Sequence, residues 1–380
     1  MKQALLLLAA VVFLFACKKE EEEKKPMLYS FIGSATTVAN AIIKTQDGNF
    51  AICGKEDGKV VVYKVSPTAQ PLFVSRVGIN QSFTPVAIAE DASQNLYVCG
   101  NVADSTYLGS MALYKFSPTG DSLWYKTYVN GYYSYAQCII TTPDNNLLIA
   151  AGASVTDGDS SDNYILKIDV NGNQLWANKY VEDGSQLPLH ILATDDGGYL
   201  LTGKGVFSFG NITMLQYLKV DVTGTEEWSS VQFAGPSSYG NYTIQLADGN
   251  FLTCGEINNF IDTQMWLVKI DDSGNKIWEW NFGNENISEH CRSLVEASNG
   301  NYIVTGLCRD NNNAKVDGMV VSIASNNNIQ WYNHFGIVGS FPIKIFKENN
   351  SNYTLVGQKN NQSTNSIFIT RTDANGNFIP

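Results

Sequence analysis

The sequence predicts an all-β fold, a β-propeller of seven blades that each contain four antiparallel strands. Three observations support this prediction: a glycine that follows an apolar run recurs seven times, a tryptophan recurs in step with it, and each repeat contains four strand signals. The glycines, 46 to 52 residues apart, are Gly54, Gly100, Gly152, Gly203, Gly255, Gly306 and Gly357. The tryptophans, 50 to 53 residues apart, are Trp124, Trp176, Trp228, Trp278 and Trp331.

The four strand signals are clearest in the fifth repeat. They are "YTIQLA", "FLTCGE", "MWLVKID" and "IWEWNF", separated by a turn at "DGN", a longer loop and a turn at "DSGN". Alternating β-branched and aromatic residues between such turns are typical of hairpins. No segment after the N-terminal apolar run shows a sustained helical period. We therefore expect residues 27–380 to form one β-propeller domain.

The two ends of this domain predict how the ring closes. The last repeat stops at "DANGNFIP", where its fourth strand should begin, and "LYSFIG" at Leu28–Gly33 resembles the fourth strands "WEWNFG" and "WYNHFG". We expect the N-terminal strand to complete the last blade, because closure removes exposed strand edges. The alternative is a free strand outside the ring.

Residues 1–16 are predicted to be a signal peptide. Lys2 precedes an apolar run that is shorter than the roughly 20 residues needed to span a bilayer. "LFAC" at Leu14–Cys17 resembles the lipobox of bacterial lipoproteins, which implies cleavage before Cys17 and lipidation of that residue. An ordinary secretory signal with an incidental cysteine is the alternative.

Residues 17–26 are expected to form a solvated tether, because "KKEEEEKKP" contains no apolar residue. The acidic cluster after Cys17 resembles the surface-export signal of Bacteroidota lipoproteins. The resemblance implies a protein held in the outer membrane by its lipid, at the cell surface. The periplasmic face of that membrane is the alternative location.

Composition and motifs argue against several kinds of chemistry. A net charge of −11 and the lack of a basic stripe exclude a nucleic-acid partner. The three histidines lie in no zinc motif, and "DGDSSDN", with Asp157, Asp159 and Asp162, lacks the glycine and distal glutamate of an EF-hand. We therefore expect no metal, no cofactor and no catalytic residue. His290 beside Glu289 is the nearest approach to an acid–base pair.

Aromatic residues predict a binding surface on the face with the long loops. Aromatic rings flanked by asparagine and serine suit sugars or extended peptides, because the rings stack while the amides and hydroxyls form hydrogen bonds. Packing between blades is the alternative role. One loop carries Tyr128, Tyr132, Tyr133 and Tyr135, and comparable loops carry Phe83, Tyr239 and Phe341.

The cysteines predict buried residues and one candidate disulfide. Cys53, Cys99 and Cys254 precede anchor glycines and are expected to be buried. If Asn299-Gly300 is a two-residue turn, paired residue numbers sum to 599 and Cys291 lies directly opposite Cys308. That spacing allows a disulfide in an exported protein, although a register error of one residue would separate the two thiols.

The motif "DxxGxxxW" at Asp169–Trp176, Asp221–Trp228 and Asp271–Trp278 resembles the tryptophan-bearing repeats of bacterial propellers and the pyrroloquinoline-quinone repeat. The resemblance implies a structural motif in which the anchor glycine ends a strand and the tryptophan packs between blades. The chain lacks the adjacent cysteines of quinone-dependent dehydrogenases.

We expect non-catalytic binding of a glycan or protein at the cell envelope through the long-loop face. The alternatives are a scaffold of outer-membrane β-barrel assembly, whose lipidated propeller has similar repeats, and a polysaccharide lyase or hydrolase.

Overall fold

The computed structural model describes residues 29–32, 37–78, 82–103, 109–129, 133–154, 160–207, 212–258, 261–284, 286–360 and 365–379. All regular structure in these ranges is β-strand, so they hold no helix that could cross a membrane. The predicted signal peptide, Cys17 and the tether lie outside the described residues.

The strands follow the sequence repeat. The N-terminal strand β1 spans Tyr29–Ile32. The first unit contains β2 (Val38–Lys44), β3 (Phe50–Glu56), β4 (Lys59–Val65) and β5 (Pro71–Val77). The second contains β6 (Ser82–Glu90), β7 (Leu96–Ala103), β8 (Ser110–Phe116) and β9 (Ser122–Tyr128), and the third contains β10 (Tyr133–Thr141), β11 (Leu147–Ser154), β12 (Asp162–Ile168) and β13 (Gln174–Tyr180).

The fourth unit contains β14 (Ser185–Ala193), β15 (Tyr199–Phe207), β16 (Ile212–Val220) and β17 (Glu226–Gln232). The fifth contains β18 (Ser237–Gln245), β19 (Phe251–Asn258), β20 (Thr263–Ile270) and β21 (Lys276–Phe282). The sixth contains β22 (Ile287–Glu296), β23 (Tyr302–Asp310), β24 (Val316–Ile323) and β25 (Ile329–His334), and the last contains β26 (Ser340–Lys347), β27 (Tyr353–Asn360), β28 (Asn365–Thr372) and β29 (Phe378–Ile379).

Consecutive strands of a unit pair in antiparallel order, and the described strands form six sheets. Four sheets have four strands each, the last unit with β1 makes a five-stranded sheet, and the fourth and fifth units share an eight-stranded sheet. These two units are joined by a single parallel bridge between Thr213 and Ser237. The molecule is therefore an all-β repeat protein of propeller-type blades.

The core lies between neighbouring units. The middle strands of the units, such as β8 and β12, are buried along their length. In an outer strand such as β21, exposed residues alternate with partly buried ones. Strands covered on both faces require continuous apolar runs, which explains the sequence pattern. The first strands of successive units contact one another, and we call them the inner strands.

The N-terminal strand pairs with the last unit. β1 runs antiparallel to β28, with Tyr29 opposite Ile369, and β29 pairs with the remaining end of β28, where Phe378 lies opposite Thr372. β1 thus occupies the fourth-strand position that the last repeat lacks. Apolar residues of the first and last units also share one core cluster.

The anchor glycines lie inside the second strand of each unit, so the prediction that they end a strand is wrong. Six of them pair with a residue that begins a β-bulge in the inner strand, and an added Cβ would lie 1.8–2.2 Å from a backbone carbonyl oxygen. Glycine is required there because the bulge brings the two backbones together. In the third unit Ala151 has this position, and Gly152 lies one residue further along.

The tryptophans pack between units. Trp228 Nε1 donates a hydrogen bond to the carbonyl oxygen of Asp272 in the next unit (3.0 Å), and Trp331 Nε1 donates to Ala374 (3.2 Å). Each of these rings lies against the turn glycine of the neighbouring unit. The predicted role between blades is confirmed for these two residues.

A buried lysine recurs on the third strand of several units, and each time it has a carboxylate partner nearby. Lys167 Nζ lies 2.9 Å from Asp144 in the turn between the first and second strands of its unit, and Lys219 Nζ lies 2.8 Å from Asp196 in the equivalent turn. Burying an ammonium group requires such a partner. Many of the acidic residues of the chain are therefore held in the tight turns, away from the long loops.

The predicted disulfide does not form, because Cys291 and Cys308 are free, buried thiols. The connection between their strands comprises residues 297–301, and the bulge after Cys291 shifts the register once more. Cys291 consequently lies opposite Gly306, and Cys308 lies opposite Glu289. The burial predicted for other cysteines is confirmed for Cys53, Cys99 and Cys254.

Candidate functional site

A row of side chains lies along the inner strands, at the end of each inner strand that follows a long loop. Just before each bulge, one inner-strand residue lies directly opposite a residue of the second strand, and such opposite residues project from the same face of the sheet. We call these residues the entrance row. The pairs are Val38–Lys55, Thr84–Asn101, Tyr135–Gly152, Leu187–Lys204, Tyr239–Glu256, His290–Leu307 and Phe341–Gln358.

A cavity of about 250 Å³ opens beside this row, between the sixth, last and first units. Leu307, Phe341 and Gln358 of the row line it. The bulge residues Asn40 and Arg292 contribute an amide and a guanidinium to its wall. One aromatic ring among several polar groups is the composition of a site for a polar ligand.

The strongest polar cluster of the row is centred on Glu256, whose side chain is 3% exposed. The Tyr239 hydroxyl donates to Glu256 Oε2 (2.8 Å), and His290 Nδ1 lies 2.8 Å from the same oxygen. Asn241 Nδ2 donates to Glu256 Oε1 (2.8 Å) and to the carbonyl oxygen of Cys291 (2.9 Å). The carboxylate therefore joins the fifth unit to the sixth.

The protonation states of this cluster follow from its contacts. Burial by itself raises the pKa of Glu256, but the hydrogen bonds from His290 and Tyr239 and the charge of Arg292 outweigh it, and the pKa lies below its usual value. An ionised carboxylate only accepts, so His290 Nδ1 carries the proton in this contact. Nε2 bonds to none of the described residues and is the ring nitrogen available to a ligand.

Glu289, the neighbour that the sequence suggested as a partner of His290, points elsewhere. It is fully buried, and its Oε1 accepts hydrogen bonds from the backbone and side-chain nitrogens of Asn284 (3.1 and 2.6 Å). Oε2 is buried without a partner among the described residues. Burial raises the pKa of Glu289 to about 6. His290 of β22 therefore pairs with Glu256 of β19 and not with its neighbour Glu289.

Four predicted aromatic residues lie at or beside the entrance row. Tyr135, Tyr239 and Phe341 occupy equivalent positions in the third, fifth and last units. The ring of Tyr133 lies 5.4 Å from that of Tyr135, which is 37% exposed. These residues therefore lie at the same end of the inner strands, although Tyr135 belongs to the third unit and Phe341 to the last.

Two other predicted binding residues have structural roles. Phe83 is 2% exposed and packs edge-on against Tyr114, because it lies two residues before the bulge pair and faces the core. Tyr128 donates its hydroxyl to the carbonyl oxygen of Gly172 in the next unit (3.0 Å). The assignment of Phe83 to a binding surface is wrong, whereas that of Tyr128, which is half-buried, stays a prediction. Tyr132 lies outside the described residues.

The calcium-like loop gives no site among the described residues. Asp162 pairs with Lys179 (2.8 Å), and Asp157 and Asp159 fall outside the described ranges. The described part of the chain contains no group of three side chains that could hold a metal ion.

Glu256, Asn241 and Arg292 were missed from the sequence. A signal was present, since Glu256 follows an anchor glycine and most residues at that position in other repeats are also polar. Asn241 and Arg292 are bulge residues, and a bulge of one residue leaves no mark on hydrophobic periodicity. Aligning the repeats on the anchor glycines would have found the first residue but not the other two.

Comparison with known proteins identifies a fold and no family. A scan against protein-family models finds no match, and a search of curated proteins finds none. A polysaccharide lyase, an ulvan lyase, matches with a TM-score of 0.58 at 8% identity over 92% of this chain and 94% of its own. A protein from Lactobacillus plantarum matches with a TM-score of 0.54 at 14% identity, over 86% and 91%. Prolyl oligopeptidase B from Galerina marginata has a TM-score of 0.52 at 12% identity, over 90% of this chain and 50% of its own. At these identities the likeness concerns the propeller-type fold alone.

Proposed function

We propose that the protein is a seven-bladed β-propeller that binds a glycan, without catalysis, at the entrance row. Closure of the ring through β1 is part of this proposal, supported by the pairing of β1 with β28. The observation that carries the binding role is the cluster of Tyr239, Glu256 and His290 beside the cavity. The cluster breaks the repeat symmetry, because none of the other five units carries a carboxylate or a histidine at these positions, and a symmetric scaffold does not need it.

The chemistry of the cavity favours a glycan over a protein ligand. Phe341 offers an apolar ring to the face of a sugar. Asn40 Oδ1 can accept from a sugar hydroxyl and Asn360 Nδ2 can donate to one, since only the other atom of each amide bonds to a described residue. Both polar atoms of the Gln358 amide, by contrast, already bond within the protein. A cavity of about 250 Å³ has the size of a small ligand such as a single sugar unit, whereas stable protein interfaces bury a much larger area.

Binding to an array of glycans tests this proposal, with the detergent-solubilised full chain. Phe341→Ala should weaken binding about tenfold, because one stacking contact is lost. Leu123→Ala is the matched control, since this apolar side chain is exposed on the outer strand β9. If Phe341→Ala binds like the parent chain, or if both variants weaken equally, the entrance row is not the binding site.

A hydrolase or lyase is the second candidate, supported by the hydrogen bond between His290 Nδ1 and a buried carboxylate. A base oriented by a third group in this way is typical of acid–base catalysis. Incubating a bound glycan with the protein distinguishes the two roles. Shortening of the glycan that disappears in His290→Gln would establish an enzyme, and an unchanged glycan would support binding alone.

We also propose that Cys17 is lipidated and that the lipid holds the protein in the outer membrane at the cell surface. The lipobox-like "LFAC" and the acidic tether support this proposal. Cys17→Ser should move the protein from the membrane fraction to the soluble fraction. Protease added to intact cells should remove the propeller and spare a periplasmic control protein. A propeller that survives until the outer membrane is opened, together with co-purifying barrel-assembly components, would favour the scaffold role instead.

A further inference from the structure

We propose that the glycan is acidic and that its anionic group, a carboxylate or sulfate ester, binds at Arg292 in the cavity, with Lys344 adding a second positive charge on the neighbouring inner strand. This inference rests on the proposed binding function and adds the chemical class of the ligand. The whole chain carries a net charge of −11, yet most of the charged residues that line the inner strands near the long loops are cations.

The number of charged residues of each sign was compared in three layers of described residues. The layers are the entrance row, the extra residue of each bulge, and the residue after each bulge. They contain four cations, Lys55, Lys204, Arg292 and Lys344, and one carboxylate, Glu256. The bulge residues are Asn40, Val86, Gln137, Leu189, Asn241, Arg292 and Ile343, and those after the bulges are Ala41, Ala87, Cys138, His190, Tyr242, Ser293 and Lys344.

Arg292 is the cation best placed for a ligand. It is the extra residue of the β22 bulge, it is exposed, and it lines the cavity together with Phe341. Within the described ranges no carboxylate forms an ion pair with it, and its guanidinium donates no hydrogen bond. Glu256 is close enough to sense its charge but already accepts three hydrogen bonds. The fork of donors on Arg292 therefore matches an external carboxylate or sulfate.

Lys344 adds a second charge from the next inner strand. It directly follows Ile343, which lines the cavity. Its Nζ lies 3.7 Å from the ring centre of Tyr242 on β18, two units away, so the side chain crosses the space between the inner strands. No carboxylate among the described residues pairs with it. Burial first, and then the charge of Lys344, hold the pKa of His190 well below its usual value.

An acidic sugar fits the cavity beside Arg292 better than an acidic peptide does. The anionic group and the ring of a uronate or a sulfated sugar lie within one residue, and the cavity places Arg292 and Phe341 in one wall. An extended acidic peptide would instead need a long cationic groove, and the other two cations of the three layers, Lys55 and Lys204, lie on different units.

The test measures binding of the detergent-solubilised full chain to four polymers: polygalacturonate, dextran sulfate, neutral dextran and polyglutamate. We expect at least one of the two acidic glycans to bind more than tenfold more tightly than neutral dextran. Raising the salt concentration from about 0.05 M to about 0.5 M should weaken this binding, because screening shortens the range of the attraction. Preference for polygalacturonate or for dextran sulfate identifies the anionic group.

Arg292→Gln should weaken binding of the acidic glycan at least tenfold, and Lys344→Met should weaken it less. The affinity of Arg292→Lys should lie between those of the parent chain and Arg292→Gln. Arg309→Gln is the matched control, because Arg309 is exposed on β23 of the same unit but lies outside the three layers. Thermal unfolding of each variant shows whether the fold is retained.

The outcomes separate this inference from the function on which it rests. Equal binding of neutral and acidic dextrans, or an acidic glycan that binds Arg292→Gln unchanged, would overturn the acidic ligand and leave glycan binding intact. Binding of polyglutamate alone, lost in Arg292→Gln, would replace the glycan by an acidic peptide. Binding of none of the four polymers would overturn the acidic ligand, and the glycan array would then decide the proposed function separately.

Discussion

Replacing Gly306 by alanine is expected to lower the free energy of unfolding by about 3 kcal/mol, the upper end for forcing extra atoms into a packed core. The added Cβ would lie 1.8 Å from the carbonyl oxygen of His290 and 2.9 Å from the Cα of Cys291. Both are backbone atoms of the β22 bulge, so no side chain can rotate to make room. Relief requires β22 and β23 to move apart, which would also displace Arg292.

Chemical denaturation of Gly306→Ala against Gly78→Ala measures this effect. Gly78 has open space where its Cβ would be and no left-handed φ. Its replacement should change the unfolding free energy by less than about 0.5 kcal/mol. Similar values for the two variants would show that the close approach at the bulge is not a constraint on the sequence.

Glu256→Gln is expected to cost about 2–4 kcal/mol at neutral pH, because a buried charge network is broken. The carboxylate accepts from Tyr239, Asn241 and His290, and an amide in its place would direct an NH₂ group at one of these donors. The pKa of Glu256 is below its usual value in the folded protein. Its ionised form therefore stabilises the fold above the usual pKa, and this contribution is lost as the pH falls through the folded value. The difference between parent and variant should narrow below about pH 4.5.

Glu289→Gln is a control variant whose stability at neutral pH should change in the opposite direction. Burial raises the pKa of Glu289 to about 6, so ionising it costs stability as the pH rises from about 4.5 to 6. At neutral pH the variant should be more stable than the parent, by up to about 2 kcal/mol, and the gain should vanish near pH 4. Denaturation curves from pH 4 to 8 measure both variants. If both lose stability at neutral pH, the charge of Glu256 is not what stabilises the cluster.

Those features of the fold that repeat could be predicted from the sequence. The spacing of glycine and tryptophan, four strand signals per repeat and the incomplete last repeat are properties of short segments, each read without knowing what it packs against. Trp228 and Trp331 illustrate this, because a residue in the same place in several repeats meets the same neighbour each time. Burial of Cys53, Cys99 and Cys254 follows in the same way.

The direction of individual side chains was decided only in the tertiary structure. A strand turns successive residues to opposite faces, so one residue of offset reverses a side chain. Phe83 lies two residues before its bulge pair and is buried, whereas Tyr135 lies one residue before its own and is exposed. A register difference of two residues separates Cys291 from Cys308, which lies opposite Glu289.

The candidate site depends on contacts that no local pattern contains. His290 and Glu256 are 34 residues apart and lie on strands of different units, and they meet because the fifth and sixth units pack side by side. The bulge residue Asn241 of β18 also bonds across this boundary, to the carbonyl oxygen of Cys291. By itself the sequence determined the repeat, the blade and the residues that join one unit to the next, since these rest on local periodicity. Only the tertiary structure decided which polar side chains share the space between the inner strands, because the bulges set the register and the packing of the units brings distant strands together.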